Sequence, residues 1–166
     1  VESLGLNVTR SIIYDLRDDC RNRTKPLCNF GLLTIDEQPK PSYYAVQRVC
    51  EMLNGALPSD GQVVVTKITP SKPAITTEVK SYLFQNKEGS FLLGYWLVKR
   101  PDVPLTADIS VRAQGQGKNI TVSINRDVLT GLQPQQQTPR SVDDGIELRG
   151  VPLNNYPTFL TIRGVQ

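Results

Sequence analysis

Three carboxylates stand close together where the first apolar run of the sequence ends. Residues 11–16 are apolar and β-branched, and Asp15, Asp18 and Asp19 lie at and just beyond the end of this run, with Arg17 between them. Two carboxylates at close range can act as a general acid and a nucleophile. Clusters of this kind are more often hydrogen-bonded structural networks. We therefore expect Asp18 or Asp19 to accept hydrogen bonds from the following loop, and Asp15 to pair with an arginine.

The same cluster also has a binding interpretation. If Tyr14 and Asp15 face a cleft, we expect them to line a ligand subsite and not to attack the ligand. The sequence contains no histidine, which excludes a histidine-ligated metal, a serine–histidine or cysteine–histidine nucleophile and a histidine base within it. No metal site, catalytic residue or cofactor is predicted here.

Cysteines and glycosylation sequons give information on the compartment. Cys20 and Cys28 flank a short polar loop, and their spacing suits a small disulfide. Three free thiols in a cytosolic protein are the alternative. Asn-x-Thr sequons predict Asn7, Asn22 and Asn119 as possible glycosylation sites and favour a secreted or extracellular protein.

Composition narrows the class of partner. Of 166 residues, 39% are hydrophobic and 21% charged, which is a globular balance. The formal net charge is +3 without a lysine- or arginine-rich run, so no nucleic-acid partner is predicted. No apolar segment approaches the ~20 residues of a membrane helix, so no membrane partner is predicted either.

Two elements must position the carboxylate cluster. Residues 11–16 predict a buried strand. Pro41 and Ser42 predict the start of a helix with an apolar stripe, which ends at Asn54-Gly55. Cys50 is expected to be buried on this helix. One strand and one helix cannot bury a stable core by themselves.

From about residue 58 the apolar period changes to two, which indicates short strands separated by turn residues. The predicted strands cover 62–68, 80–85, 90–98, 107–112, 119–124, 145–148 and 158–162. Their number and spacing predict an antiparallel β-sandwich. Residues 133–137, QPQQQ, are predicted as a surface loop. Tyr95 and Trp96 belong either to the sandwich core or to an exposed platform for carbohydrate.

The block 11–46 resembles the last βα unit of the (β/α)8 glycoside hydrolases that use two glutamates, the clan of cellulase-like and β-xylosidase-like enzymes. Three motifs in order carry the resemblance: IYDLRDD at 13–19, NFGLL at 29–33 and PKPSYYA at 39–45. The stretches 124–131 and 151–160 are similar to the β-sandwich that often follows such barrels. The resemblance implies a mainly β chain in which 1–57 is the terminal βα unit of an incomplete barrel and 58–166 is the accessory sandwich.

The resemblance also implies where the chemistry lies. In that clan the two catalytic glutamates follow the fourth and seventh barrel strands, and both would precede Val1. Ile13-Tyr14 stands where the clan has a tryptophan at the end of the eighth strand. The resemblance thus implies a C-terminal glycosidase part, inactive by itself, whose parent enzyme binds carbohydrate.

Two other functions remain open. The chain could be a non-catalytic carbohydrate-binding or interaction module, with 1–57 as a docking arm. It could also pair with a chain that supplies the rest of a barrel, or with itself.

Overall fold

The structure is a computed structural model. It describes residues 1–6, 8, 12–13, 15–59, 61, 63–72, 79–98, 103–113, 120–125, 127–143 and 145–165.

Helices are few and lie near the start of the chain. Helix α1 covers Glu2–Gly5, a 3-10 turn covers Pro26–Cys28, and helix α2 covers Pro41–Met52. Pro41 occupies the first turn of α2 as predicted, where its missing N–H costs nothing. Lys40, and not Ser42, is the residue at the N-cap. Within the described residues no helix is long and apolar enough to cross a membrane.

Ten strands follow. They are β1 Leu57–Pro58, β2 Val63–Pro70, β3 Val79–Gln85, β4 Phe91–Leu97, β5 Leu105–Ala113, β6 Thr121–Ile124, β7 Gln135–Gln137, β8 Arg140–Val142, β9 Gly145–Leu153 and β10 Thr158–Arg163.

These strands form two antiparallel sheets, which confirms the predicted mainly β fold. The larger sheet has the order β1-β3-β4-β10-β6-β7, and the smaller has the order β2-β5-β9-β8. One core cluster joins alternate side chains of the two sheets, including Leu93 and Tyr95 of β4, Ile109 of β5 and Leu148 of β9. Each of these four is at most 1% exposed. The alternation along β5 follows from the two-residue period of a strand.

A second, smaller core lies on the opposite face of the larger sheet. Phe84 of β3 and Leu92 of β4 point away from the first core and are buried with Ala56. Val1 and Leu4 of the α1 region, together with Leu53 at the end of α2, pack against this cluster. The larger sheet is therefore covered on both faces, and the beginning of the chain supplies part of its outer cover.

The predicted strand at 11–16 differs from the structure. Among the described residues of this stretch, Ile12 and Ile13 have no assigned secondary structure and Leu16 lies in a bend. Their exposed fractions are 89%, 51% and 61%. A strand is stabilised by a neighbouring ladder, and only isolated bridges, such as Arg17 with Leu33, occur in the described part of this region.

Two further expectations are corrected. Residues 135–137 of the predicted QPQQQ loop form edge strand β7, which pairs with β6 through the backbone while its side chains stay largely exposed. Polar side chains are tolerated there because only the backbone is needed for pairing. Cys50, expected to be buried, is an exposed free thiol. None of the residues of α2 is buried.

Candidate functional site

The carboxylate cluster lies in a hydrogen-bonded loop pair. Residues 15–18 run beside residues 30–33, with Leu32 N–H donating to Asp15 O at 3.1 Å and Leu33 N–H donating to Leu16 O at 2.9 Å. Asp18 N–H then donates to Leu33 O at 3.0 Å. We call residues 15–40 the clasp. It contains all four charged residues of the predicted cluster.

Asp18 is the centre of the clasp. It is 6% exposed, and its Oδ1 accepts a hydrogen bond from Gly31 N–H at 3.0 Å and an ion-pair contact from Lys40 Nζ at 2.5 Å. Lys40 Nζ also donates to Asn29 O at 3.2 Å. The expectation that an aspartate of the cluster holds the following loop agrees with this geometry. Asp18 is a buried structural carboxylate joined to the residue that precedes α2.

Gly31 is required by the close approach of the two loop segments. A Cβ at this position would collide with the backbone of Arg17 and Asp18. Gly31 also supplies the N–H that Asp18 accepts, so the absence of a side chain and the hydrogen bond serve the same contact. The NFGLL motif is thus explained by packing.

Two further ion pairs lie at the surface of the clasp. Arg17 contacts Glu37 at 3.2 Å, and both side chains are more than half exposed. Arg21 forms a two-point contact with Asp36 at 2.5 and 2.8 Å. Asp15 Oδ1 accepts its hydrogen bond from the N–H of Leu16. Among the described residues, Asp15 therefore has a local backbone donor, and Arg17 pairs with Glu37.

A disulfide closes the loop at the outer end of the clasp. Cys20 and Cys28 are bonded, with their Cα atoms 5.0 Å apart. Just beyond the ring, the Asn29 side-chain amide donates to the carbonyls of Asn22 and Lys25 within it, at 3.0 and 2.7 Å. The disulfide and the asparagine together hold a polar loop that has no apolar core of its own.

An open groove of about 550 Å³ lies against the clasp. It is lined by Asp18, Cys20, Arg21, Arg23, Asn29, Thr34, Ile35 and Lys40. Donors of several kinds converge there, which suits a ligand rich in hydroxyl groups or carrying an acid. The groove offers no acid–base pair, because Asp18 is already held by Lys40 and Gly31. No cluster suited to a metal ion occurs in the part of the chain that the structure describes.

A second contact fixes α2 to the sandwich. Arg48 of α2 donates to the carbonyls of Val128 and Leu129 at 2.8 and 3.0 Å. The resemblance places residues 124–131 in the sandwich and implies no contact with α2. Through this contact, α2 is hydrogen-bonded to the turn that contains Val128 and Leu129. A long-range arginine–carbonyl bond of this kind leaves no signal in a single sequence.

The same turn is organised by Asp127. Its carboxylate accepts from Leu129 N–H, Thr130 N–H and the Thr130 hydroxyl, and from the Tyr156 hydroxyl at 3.0 Å. Burial raises the pKa of Asp127, but these hydrogen bonds outweigh burial, and its pKa lies below the usual value. Burial, with the hydrogen bond to Asp127 and the charge of Asp127, raises the pKa of Tyr156 to about 12.

Tyr95 and Trp96 fall on opposite faces of β4. Tyr95 is fully buried, and its hydroxyl donates to Pro152 O at 2.9 Å. Trp96 is half-buried on the outer face and stacks on Tyr82, with the ring centroids 5.9 Å apart. The core interpretation therefore holds for Tyr95, while Trp96 keeps part of its ring accessible.

The other predicted site residues are distributed as follows. Asp19 and Asn22 are exposed on the clasp. Tyr14, Asn7 and Asn119 lie outside the described residues, so their predicted roles stay predictions. The structure brings together Asp15, Arg17, Asp18 and the disulfide within one loop pair.

Comparison with known proteins gives a likeness of fold. The chain is similar to the structure of a family 39 glycoside hydrolase from the gut symbiont Bacteroides cellulosilyticus WH2, with a TM-score of 0.51 and 18% sequence identity. The match covers 90% of this chain and 25% of that one, so this chain spans about a quarter of the length of its neighbour. No protein-family model and no curated protein matches the sequence.

Proposed function

We propose that this chain is the C-terminal part of a glycoside hydrolase that cleaves O-glycosidic bonds, with the catalytic glutamates supplied by sequence outside it. One observation carries the proposal: almost the whole chain superposes on a quarter of a glycoside hydrolase. Residues 1–57 would be the terminal βα unit of the barrel, and residues 58–166 the accessory sandwich. The fold likeness supports this assignment, and the three motifs within 13–45 support it independently.

Exposed apolar side chains between residues 12 and 30 favour packing against a further structural element outside this chain. Ile12, Leu16 and Leu27 are 89%, 61% and 75% exposed. Large apolar side chains exposed in one region favour a surface that another element covers. In a closed barrel the run that contains Ile12 would have strands on both sides. The partner in this proposal is the rest of the barrel, and self-association is the alternative.

The carboxylates of the clasp support a structural and not a catalytic role. A retaining glycosidase needs two carboxyl groups about 5–5.5 Å apart. Asp18, Asp36 and Glu37 are each paired with a cation, whereas Asp15 and Asp19 have no cation partner among the residues that the structure describes. Asp15, with Tyr14, is proposed to face the sugar from the end of the last strand, because barrel active sites form at the carboxyl ends of the strands.

Two measurements test the proposal. Purified 1–166 should release no chromophore from aryl glycosides, and turnover by this chain would contradict the absence of a catalytic pair. An antibody against 62–164 should detect a species in the source several times heavier than the 18.5 kDa of this chain. A single species near 18.5 kDa, after allowance for glycans, would contradict the missing barrel and favour a partner chain or a binding module.

The half-buried Trp96 favours a second candidate function, carbohydrate binding by the sandwich. Aromatic rings bind the apolar faces of sugars, and Trp96 and Tyr82 form a stacked pair on an outer face. The substitution Trp96→Ala distinguishes sugar binding from a structural role of the aromatic pair. Tyr95→Phe is the control, because it alters a buried hydroxyl on the same strand. Lost retention on a polysaccharide column with an unchanged unfolding midpoint supports binding. A lowered midpoint with unchanged retention means that the pair is structural.

A further inference from the structure

The sequon Asn22-Arg23-Thr24 lies on the exposed loop inside the disulfide ring. Asn22 and Thr24 are both exposed, and the ring is closed between Cys20 and Cys28, eight residues apart in sequence. A disulfide persists in an oxidising compartment, and attachment of glycans to asparagine belongs to the same secretory setting. The disulfide and the exposed sequon are therefore two separate observations that both favour a secretory compartment.

The side-chain geometry of Asn22 leaves its amide nitrogen free. Oδ1 accepts hydrogen bonds from Thr24 N–H at 3.0 Å and from the Thr24 hydroxyl at 2.7 Å. Nδ2 makes no hydrogen bond to any residue that the structure describes. The backbone carbonyl of Asn22 is held by the side chain of Asn29 at 3.0 Å. The loop thus holds the asparagine through its two oxygens, and the residue as a whole is exposed.

We propose that Asn22 carries an N-linked glycan. In the transfer, Nδ2 of Asn22 forms a bond to the anomeric carbon of an oligosaccharide held on a lipid pyrophosphate. The bond from that carbon to the phosphate oxygen breaks, the lipid pyrophosphate leaves with the electron pair, and Nδ2 loses one proton to a base of the transferase. The step is a substitution, so no oxidant or reductant is needed.

The position of the glycan has a consequence for the groove. Arg21 and Arg23, on either side of Asn22, both line the groove beside Asp18 and Lys40. A glycan on Asn22 therefore stands at the rim of this groove and restricts bulky ligands there. The modification itself does not depend on the proposed glycosidase function, because it uses only the sequon, its exposure and the compartment.

Peptide mapping of the protein isolated from its source tests the proposal. Release by a peptide N-glycosidase in heavy-oxygen water should convert Asn22 to a labelled aspartate. An Asn22 peptide that is recovered unmodified and unlabelled would overturn the proposal. This reading needs no variant, so a folding defect cannot obscure it.

Variants expressed in cells of the source organism sharpen the result. Asn22→Gln and Thr24→Ala should each remove one glycan from the intact mass, whereas Thr24→Ser, which keeps the hydroxyl, should retain it. Asn7→Gln and Asn119→Gln are the matched controls, since they remove the other two sequons and should leave the label on Asn22. An Asn22→Gln protein that carries the same number of glycans as the unmodified chain would contradict the assignment.

Discussion

Two parts of the chain, residues 1–55 and residues 56–166, are stabilised by different interactions. In the described part of residues 1–55, the buried residues are Asp18 and Gly31, and neither has an apolar side chain. This part is held by backbone pairs, by the Asp18–Lys40 contact and by a disulfide. From Ala56 onwards, apolar side chains of both sheets are buried in two clusters. The difference shows that the second part contains its own hydrophobic core, while the first part has apolar residues that stay at the surface.

The largest effect is expected from a matched pair of leucine substitutions. Leu160 on β10 is fully buried, whereas Leu16 in the clasp is 61% exposed. Leu160→Ala should lower the free energy of unfolding by about 2–5 kcal/mol, because it removes apolar contacts and leaves a cavity. Leu16→Ala should change it by about 0.5 kcal/mol or less. Urea unfolding followed by Trp96 fluorescence measures both, and equal losses would contradict the contrast.

Reduction of the disulfide should destabilise residues 15–40 and leave residues 62–164 folded. A ring of this length contributes about 2–3 kcal/mol through the entropy of the open chain, and the clasp has no apolar core to replace it. After mild reduction, limited proteolysis should cut within 15–40 while 62–164 stays intact. Cys50→Ser is the control, because this thiol is exposed and free and should not alter the pattern. Equal resistance of both regions to proteolysis, in a chain shown to be monomeric, would contradict this difference in stability.

Asp18→Asn should loosen the clasp by about 1–3 kcal/mol, because it leaves Lys40 without its partly buried counter-charge. Asp36→Asn removes an exposed pair with Arg21 and should cost less than about 1 kcal/mol. Hydrogen exchange at Gly31, whose N–H is bound to Asp18, reports the change locally. Equal exchange rates in both variants would show that the Asp18 contact does not hold the clasp.

The smallest effect is expected at the turn that joins α2 to the sandwich. Because the pKa of Asp127 is lower in the folded state, its contribution to stability is present above the unfolded pKa and is lost as the pH falls through the folded pKa. Tyr156, with a pKa of about 12, loses its contribution as the pH rises from about 10 to about 12. Asp127→Asn should cost about 1 kcal/mol at neutral pH.

The pH dependence of this variant is the test. Unfolding midpoints measured from pH 2 to 7 should fall less steeply on acidification in Asp127→Asn than in the unmodified chain. Asp143→Asn, on an exposed turn, is the control and should follow the unmodified chain. Parallel curves for all three proteins would mean that Asp127 is not the acid-sensitive group.

Local patterns predicted the elements that have a periodic signal. Helix α2 begins at Pro41 as expected, and seven of the strands were anticipated, because alternation and turn residues act over short distances. Strands β1, β7 and β8 were missed. In β7, Gln135 and its neighbours contribute backbone and not apolar side chains to the sheet.

The candidate site was predictable only in part. The position of Asp18 and Asp19 before a polar loop predicted that one of them accepts hydrogen bonds from that loop. Lys40, the ion-pair partner of Asp18, lies 22 residues away and has no signal of its own in the sequence. The exposure of Ile12 and Leu16 could not be predicted either. A strand pattern specifies which side chains are apolar, whereas burial depends on whether a neighbouring ladder is present.

The position of β10 bears on how the chain is made. Thr158–Arg163 comes after all other strands in the sequence, yet it lies between β4 and β6 in the middle of the larger sheet. During synthesis, β4 and β6 are therefore both complete while the strand that joins them is still inside the ribosome. Folding of this sheet must wait for residue 163, and a product that stops before residue 158 would leave the inner edges of β4 and β6 open to aggregation.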